Sequence, residues 1–160
     1  MRKVSVELRY PGRTVDQVTA MLADPAFRDA VCVHQGVADH AVRIDDHGDG
    51  TLSVETERTY GADFVPSFAR SFVGSSVLAI QREEWSSPTA ATFDLVIPGK
   101  PGEVAGTASL AQQGPDVVET VTAQVKVSIP LVGGKLEDLV AGLVQSAFEA
   151  EHDVGLTWLR

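Results

Sequence analysis

The stretch Val117–Trp158, VVETVTAQVKVSIPLVGGKLEDLVAGLVQSAFEAEHDVGLTW, changes its hydrophobic period once, and that change sets the fold. From 117 to 129 the period is two. Val117, Glu119, Val121, Ala123, Val125, Val127 and Ile129 share one face, as in a long strand. Pro130-Leu131-Val132-Gly133-Gly134 then breaks the sheet, because proline removes a ladder donor and paired glycines loosen the backbone. From about Lys135 the period becomes helical. Leu136, Leu139, Val140, Leu143, Ala147, Ala150, Val154 and Trp158 fall on one wide face of a helix that runs to the end of the chain. Glu137, Asp138, Gln145, Glu149 and His152 fall on the other. A strongly curved sheet can wrap such a helix and bury its apolar face.

The rest of the chain supplies the sheet. In residues 3–10, Val4, Val6, Leu8 and Tyr10 alternate with Ser5, Glu7 and Arg9, which predicts a half-buried strand ended by Pro11-Gly12. Two short helices follow. Thr14 with Gln17 three residues on reads as a capping box, and Asp24-Pro25 as an N-cap with proline at the first helical position. Gly36 fits the C-cap of the second helix. From His40 the period returns to two, and Asp45–Gly50 reads as a hairpin turn before a return strand over 51–60. Phe64, Phe68 and Phe72 repeat at helical spacing within 61–74, predicting a short amphipathic helix or turn. Further strands are predicted at about 76–85, 90–97 and 104–112. In the first of these, either Leu78, Ile80, Arg82 and Glu84 or Val77, Ala79, Gln81, Glu83 and Trp85 could face inward, and a bulge could reconcile the two. The predicted class is α+β: a curved seven-stranded antiparallel sheet wrapped around a long C-terminal helix. Two short helices after the first strand close one end, and residues 1–160 form a single domain.

This element order resembles that of the START-like, or helix-grip, superfamily, and within it the polyketide cyclase/dehydrase and lipid-transport-like branch. The junction Ile129–Glu137, the terminal segment through Trp158-Leu159 and Pro66-Ser67-Phe68-Ala69-Arg70 are especially similar to an actinobacterial family of unknown function in that branch. The resemblance implies an apolar cavity between sheet and helix. It also implies a lipid, polyketide, quinone or related aromatic as the class of ligand. It carries no catalytic motif across.

Composition bounds the remaining readings. Of 160 residues, 13 are basic and 22 acidic, a net charge of −9. That balance argues against a nucleic-acid surface, which needs a basic stripe, and against docking to anionic headgroups. The single Cys32 excludes an internal disulfide or a multi-cysteine metal site, and a buried, inert thiol is the ordinary case for it. No apolar run reaches membrane-spanning length, and Ser5, Glu7 and Arg9 interrupt any signal-peptide core. A cytoplasmic protein is therefore expected. The abundance of Ala, Val, Gly, Asp and Arg points to a high-GC bacterial genome.

Tests for specific chemistry are negative. Starting at Asp45, a calcium loop would require an oxygen ligand where His47 stands and a glutamate where Thr56 stands. The histidines, His34, His40, His47 and His152, lack zinc spacing. Gly133-Gly134 lacks dinucleotide and phosphate-loop spacing, no serine-hydrolase elbow is present, and no cofactor is implied.

In the strand 51–60, Leu52, Val54, Thr56, Arg58 and Tyr60 share a face. If Val54 points inward, so do Arg58 and Tyr60. A cation among apolar groups must be paired or wet. Two readings of Arg58 stand: a rim or ion-paired residue, with Glu84 as a partner, or an anchor for a polar or anionic ligand head. The candidate cavity lining is Val54, Arg58, Tyr60, Phe68, Phe72, Phe93, Leu95, Val125, Leu143, Ala147 and Trp158. Three functions follow: a binding protein for a small hydrophobic ligand, a cyclase, aromatase or dehydratase using the same cavity, or an interaction module with a filled core. The enzyme requires a polar cluster deep in the cavity. The outer face of the sheet could also pair with a second copy to form a homodimer.

Overall fold

A computed structural model describes residues 1–159. Seven strands form one antiparallel sheet: β1 (Arg2–Tyr10), β2 (Asp39–Asp46), β3 (Leu52–Tyr60), β4 (Val77–Ser87), β5 (Ala90–Val96), β6 (Glu103–Gln113) and β7 (Asp116–Lys126). Their order across the sheet is β1-β7-β6-β5-β4-β3-β2, so β1 and β2 are free edges. Helices α1 (Val15–Leu22) and α2 (Pro25–Gln35) follow β1. A 3₁₀ turn, Ala62–Phe64, and the short helix α3 (Ser67–Val73) link β3 to β4, and α4 (Gly133–Trp158) lies in the sheet's concavity. This is the helix-grip architecture.

The local signals act as elementary chemistry dictates. Thr14 accepts the Gln17 N–H at 3.2 Å while the Gln17 side chain accepts the Thr14 N–H at 2.9 Å, closing the capping box. Asp24 accepts the Ala26 N–H at 2.9 Å, and Gly36 takes the left-handed φ of 75° that ends α2. The β2–β3 turn is held by Asp46 and Asp49, which accept the N–H groups of Gly48 and Thr51. In β5–β6 the Phe93 ring lies across Gly106, which directly faces it in the neighbouring strand.

Several expectations need correction. The last strand stops at Lys126, not 129, because the chain turns toward α4 once the Val127 N–H donates to the Glu137 carboxylate at 2.9 Å. Glu137, expected on the polar helix face, is therefore buried, and its other oxygen lies 2.9 Å from the N-terminal ammonium. The buried stripe of α4 keeps Leu136, Ala147 and Ala150 of the predicted face and adds Ala141, Val144, Phe148 and Glu151, a partial rotation. That rotation leaves Leu139, Val140 and Leu143 at its margin and Trp158 40% exposed, edge-on to Phe27. In β4 the inward residues are Val77, Ala79, Gln81, Glu83 and Trp85, and the register shifts between Trp85 and Ser87. Arg58 is paired with no acid among the described residues: Glu84 points outward and accepts the Ser53 hydroxyl at 2.6 Å.

Candidate functional site

The interior of the grip divides into two parts along α4. At the end where β3 stops, β4 starts and α4 begins, an apolar core cluster packs around the buried Tyr60. It contains Val65, Ala69, Val77, Val127 and Leu136 with the half-buried Phe64, Phe72, Leu95, Leu139 and Leu143. A recess opens there, bounded by the 3₁₀ turn and α3, the β5–β6 loop at Lys100-Pro101-Gly102, and the first three turns of α4. Its volume is about 50 Å³. That is room for a few water molecules, so its walls nearly touch.

A second, open groove of about 520 Å³ lies on the outside between the end of α2 and α4. Tyr60, Phe64, Leu139 and Leu143 line both spaces, so these four side chains are the partition between groove and recess.

Of the predicted lining residues, Tyr60, Phe72, Leu95, Val125 and Leu143 come together around the recess. The others lie elsewhere. Val54 and Phe93 pack in the second core cluster, where Phe93 meets Phe148 at 5.3 Å between ring centres. Ala147 is buried on α4 outside the recess wall. Phe68 is 39% exposed, with the Lys135 ammonium 5.8 Å from its ring centre. Trp158 sits at the far end of α4 against Phe27.

Arg58 is buried on β3 two residues before Tyr60 and does not line the recess. Its Nε donates to Gln35 at 2.8 Å and its Nη1 to Gln81 at 3.0 Å, two neutral amides. Gln35 also reaches the phenol of Tyr60, whose pKa burial pushes up, so the ring stays protonated. Cys32 packs beside Arg58, and burial raises its pKa, which disfavours a thiolate nucleophile.

Beyond Gln81 a buried polar cluster continues away from the recess. The Gln81 amide donates to Glu83 at 3.1 Å, and the Trp85 indole N–H donates to Glu83 at 3.1 Å. Arg28 clamps Glu83 with bonds of 2.8 and 3.1 Å, donates to the Leu22 carbonyl at 2.8 Å, and lies 3.6 Å from Glu151. Burial alone would lower the Arg28 pKa, but Glu83 and Glu151 outweigh it and hold the cation. Glu119 is 1% exposed, and burial followed by the charge of Glu151 raises its pKa well above the carboxylate range. The Glu151 carboxyl is raised too, by burial first. Glu119 Oε1, Tyr10 Oη and Thr56 Oγ1 have no hydrogen-bond partner among the described residues. None of Arg28, Glu83, Glu119 or Glu151 lines the recess.

Sequence reasoning overlooked this cluster, although one signal was present: Glu119 shares the inward face with Val117 and Val121. Arg28 carries a fainter one, lying three and four residues before the buried Val31 and Cys32. No local pattern marks Gln35.

No helix among the described residues is long and apolar enough to cross a membrane. Residues 5–159 match a family described as a protein of unknown function, DUF2505. No curated protein matches. Among solved structures, a protein from Thermus thermophilus, TTHA0849, is similar at 17% identity and a TM-score of 0.66, over 98% of both chains. A START superfamily protein from Mycobacterium smegmatis is similar at 13% identity and 0.58, over 94% of both. The di-domain aromatase/cyclase StfQ of steffimycin biosynthesis is similar at 9% identity and 0.62, over 97% of this chain and 50% of StfQ. At these identities the likeness is one of fold.

Proposed function

We propose that this chain, which belongs to the DUF2505 family, binds a small, largely apolar molecule in the recess between the sheet and the first half of α4. The observation that carries the reading is the continuity of two walls. An apolar wall, Phe72, Leu95, Val125 and Leu143, runs into the buried phenol of Tyr60 as its polar edge, with Gln35 on the groove side of that ring holding Arg58. Apolar contact would supply affinity in proportion to area, and the polar edge would orient one hydrogen-bonding head. A lipid, polyketide, quinone or related aromatic fits that pattern. A fold neighbour bound to 3,6-dichlorosalicylic acid, dicamba monooxygenase, and the aromatase/cyclase StfQ support this class of ligand.

The recess is narrow, so entry of such a molecule requires the Tyr60/Phe64/Leu139/Leu143 partition to part. The outer groove gives the ligand a place to land first. A carrier is favoured over an enzyme because the buried carboxyls lie off the recess, whose titratable groups are Tyr60, Lys100 and Glu103.

Native mass spectrometry of the protein from its own host, followed by solvent extraction, tests the reading. A reproducible extra mass that Leu143→Trp abolishes is the expected result. Clean apo masses from several preparations, with no uptake of added apolar ligands, would overturn it.

A further inference from the structure

We infer that the end of the molecule where the recess opens is a docking surface for an anionic lipid bilayer. Its most exposed feature is Leu131, in the turn between β7 and α4. This leucine has a relative exposure of 102% and a left-handed φ of 71°, the only positive φ outside glycine among the described residues. A branched apolar side chain held in that conformation and wholly in water is doubly unfavourable in isolation. Phe68, on α3 at the same end, is 39% exposed.

Cations lie at the same end of the molecule. All four lysines of the chain lie at this end. Lys100 is on the recess rim, Lys126 ends β7, Lys135 stands over Phe68, and Lys3 pairs across from Gln124 near the start of β1. None of the four makes an ion pair among the described residues. Arg70 of α3 is exposed beside them. Two carboxylates of this end are already committed, Glu137 to the N-terminal ammonium and Asp138 to Arg2, while Glu103, Asp63 and, at the β2 edge, Asp39 stay exposed.

The net charge of −9 argues against such a surface only if the charge acts as a whole. It does not. With 26 residues, α4 spans about 39 Å. Electrostatic reach at physiological salt is about 8 Å. Asp16, Asp24, Asp45, Asp46, Asp49 and Asp116 gather at the opposite end and are screened from anything that touches Lys100, Lys126 and Lys135.

An apolar tip fringed by unpaired lysines matches the layering of a bilayer, with hydrocarbon beneath phosphates. A lone protruding leucine fits a deformable medium better than a rigid protein face, which would need a matching pocket.

Flotation of the full chain with vesicles tests the assignment, whatever the recess holds. Partition onto phosphatidylcholine vesicles containing phosphatidylglycerol, and not onto phosphatidylcholine alone, is expected. Each of Lys100→Gln, Lys126→Gln and Lys135→Gln should weaken partition roughly fivefold. Leu131→Gly relieves the left-handed strain, so it should melt no lower than the parent while losing about tenfold in partition. Phe68→Ser should lower partition in the same direction. Failure of the parent to bind either vesicle, equal binding to both, or an unchanged Leu131→Gly would overturn the assignment. So would retention on an acidic protein with no vesicle partition.

Discussion

The carboxyls of Glu119 on β7 and Glu151 on α4 are both buried in the interior, where each feels the other and burial raises the pKa of both. Glu119 is raised by burial and then by the charge of Glu151, whereas at Glu151 the Arg28 cation opposes the effect of burial, so Glu119 is the carboxyl kept neutral. Arg28 balances the charge that remains on Glu151. The sheet and the helix are thus joined at this point by a neutral acid beside an ion pair.

A raised carboxyl pKa works against folding as pH rises. Unfolded, Glu119 releases its proton above the ordinary glutamate range near 4.5; folded, it keeps that proton well above this value. The folded state then binds more protons, and stability falls with increasing pH from about 4.5 up to the folded pKa. Glu119→Gln supplies a permanently neutral group of the same shape. Urea midpoints measured from pH 5 to pH 9 should fall with pH in the parent and fall less in Glu119→Gln, which should be the more stable at pH 8. An equal slope in the two proteins would place the proton elsewhere.

Arg28 faces two buried acids at 2.8 and 3.6 Å. Arg28→Met leaves both without their cation and should cost about 3–5 kcal/mol by urea denaturation. Adding Glu83→Gln to Arg28→Met should recover part of that loss, because one stranded charge is gone. Strict additivity of the two substitutions would show that the pair does not interact.

Leu143 belongs to both the recess wall and the outer groove. Leu143→Trp should fill the space, remove binding of an apolar fluorescent probe and lower stability by about 1–3 kcal/mol through overpacking. Retained probe binding would move the ligand site away from the recess.

Gly106 is held by contact rather than by backbone angle. A Cβ there would meet the Thr122 carbonyl oxygen and come within 2.7 and 2.8 Å of the Phe93 ring. Gly106→Ala should therefore destabilise the protein by roughly 2 kcal/mol, despite alanine's lower conformational entropy in the unfolded chain. In the background of Phe93→Leu the alanine should cost measurably less, since the ring that it strikes is gone.

Local chemistry carried most of the fold. The capping box at Thr14 and Gln17, the Asp24-Pro25 start, the Gly36 stop, the turn at Asp46–Thr51 and the alternation in β1, β3 and β7 each act over a few residues, and each is where the sequence places it. The class of the grip followed from the single change of period near Pro130. Five of the recess residues were also legible: Tyr60, Leu95 and Val125 through inward alternation on β3, β5 and β7, and Phe72 and Leu143 through helical spacing on α3 and α4.

Tertiary structure alone decided which of two equally patterned faces turns inward, and which charges are buried. In β4 the face bearing Gln81 and Glu83 wins because Arg28, 55 residues away in sequence from Glu83, compensates the acid. Arg58 needs no carboxylate because Gln35 and Gln81, each 23 residues distant, supply acceptors. Glu137 can leave the polar face because the N-terminus meets it. Hydrophobic period is a property of neighbours in the chain, whereas the desolvation of a charge is offset by partners that only the fold brings near. The same holds for the lysines: their number is fixed by the sequence, and their gathering at one end by the sheet's register.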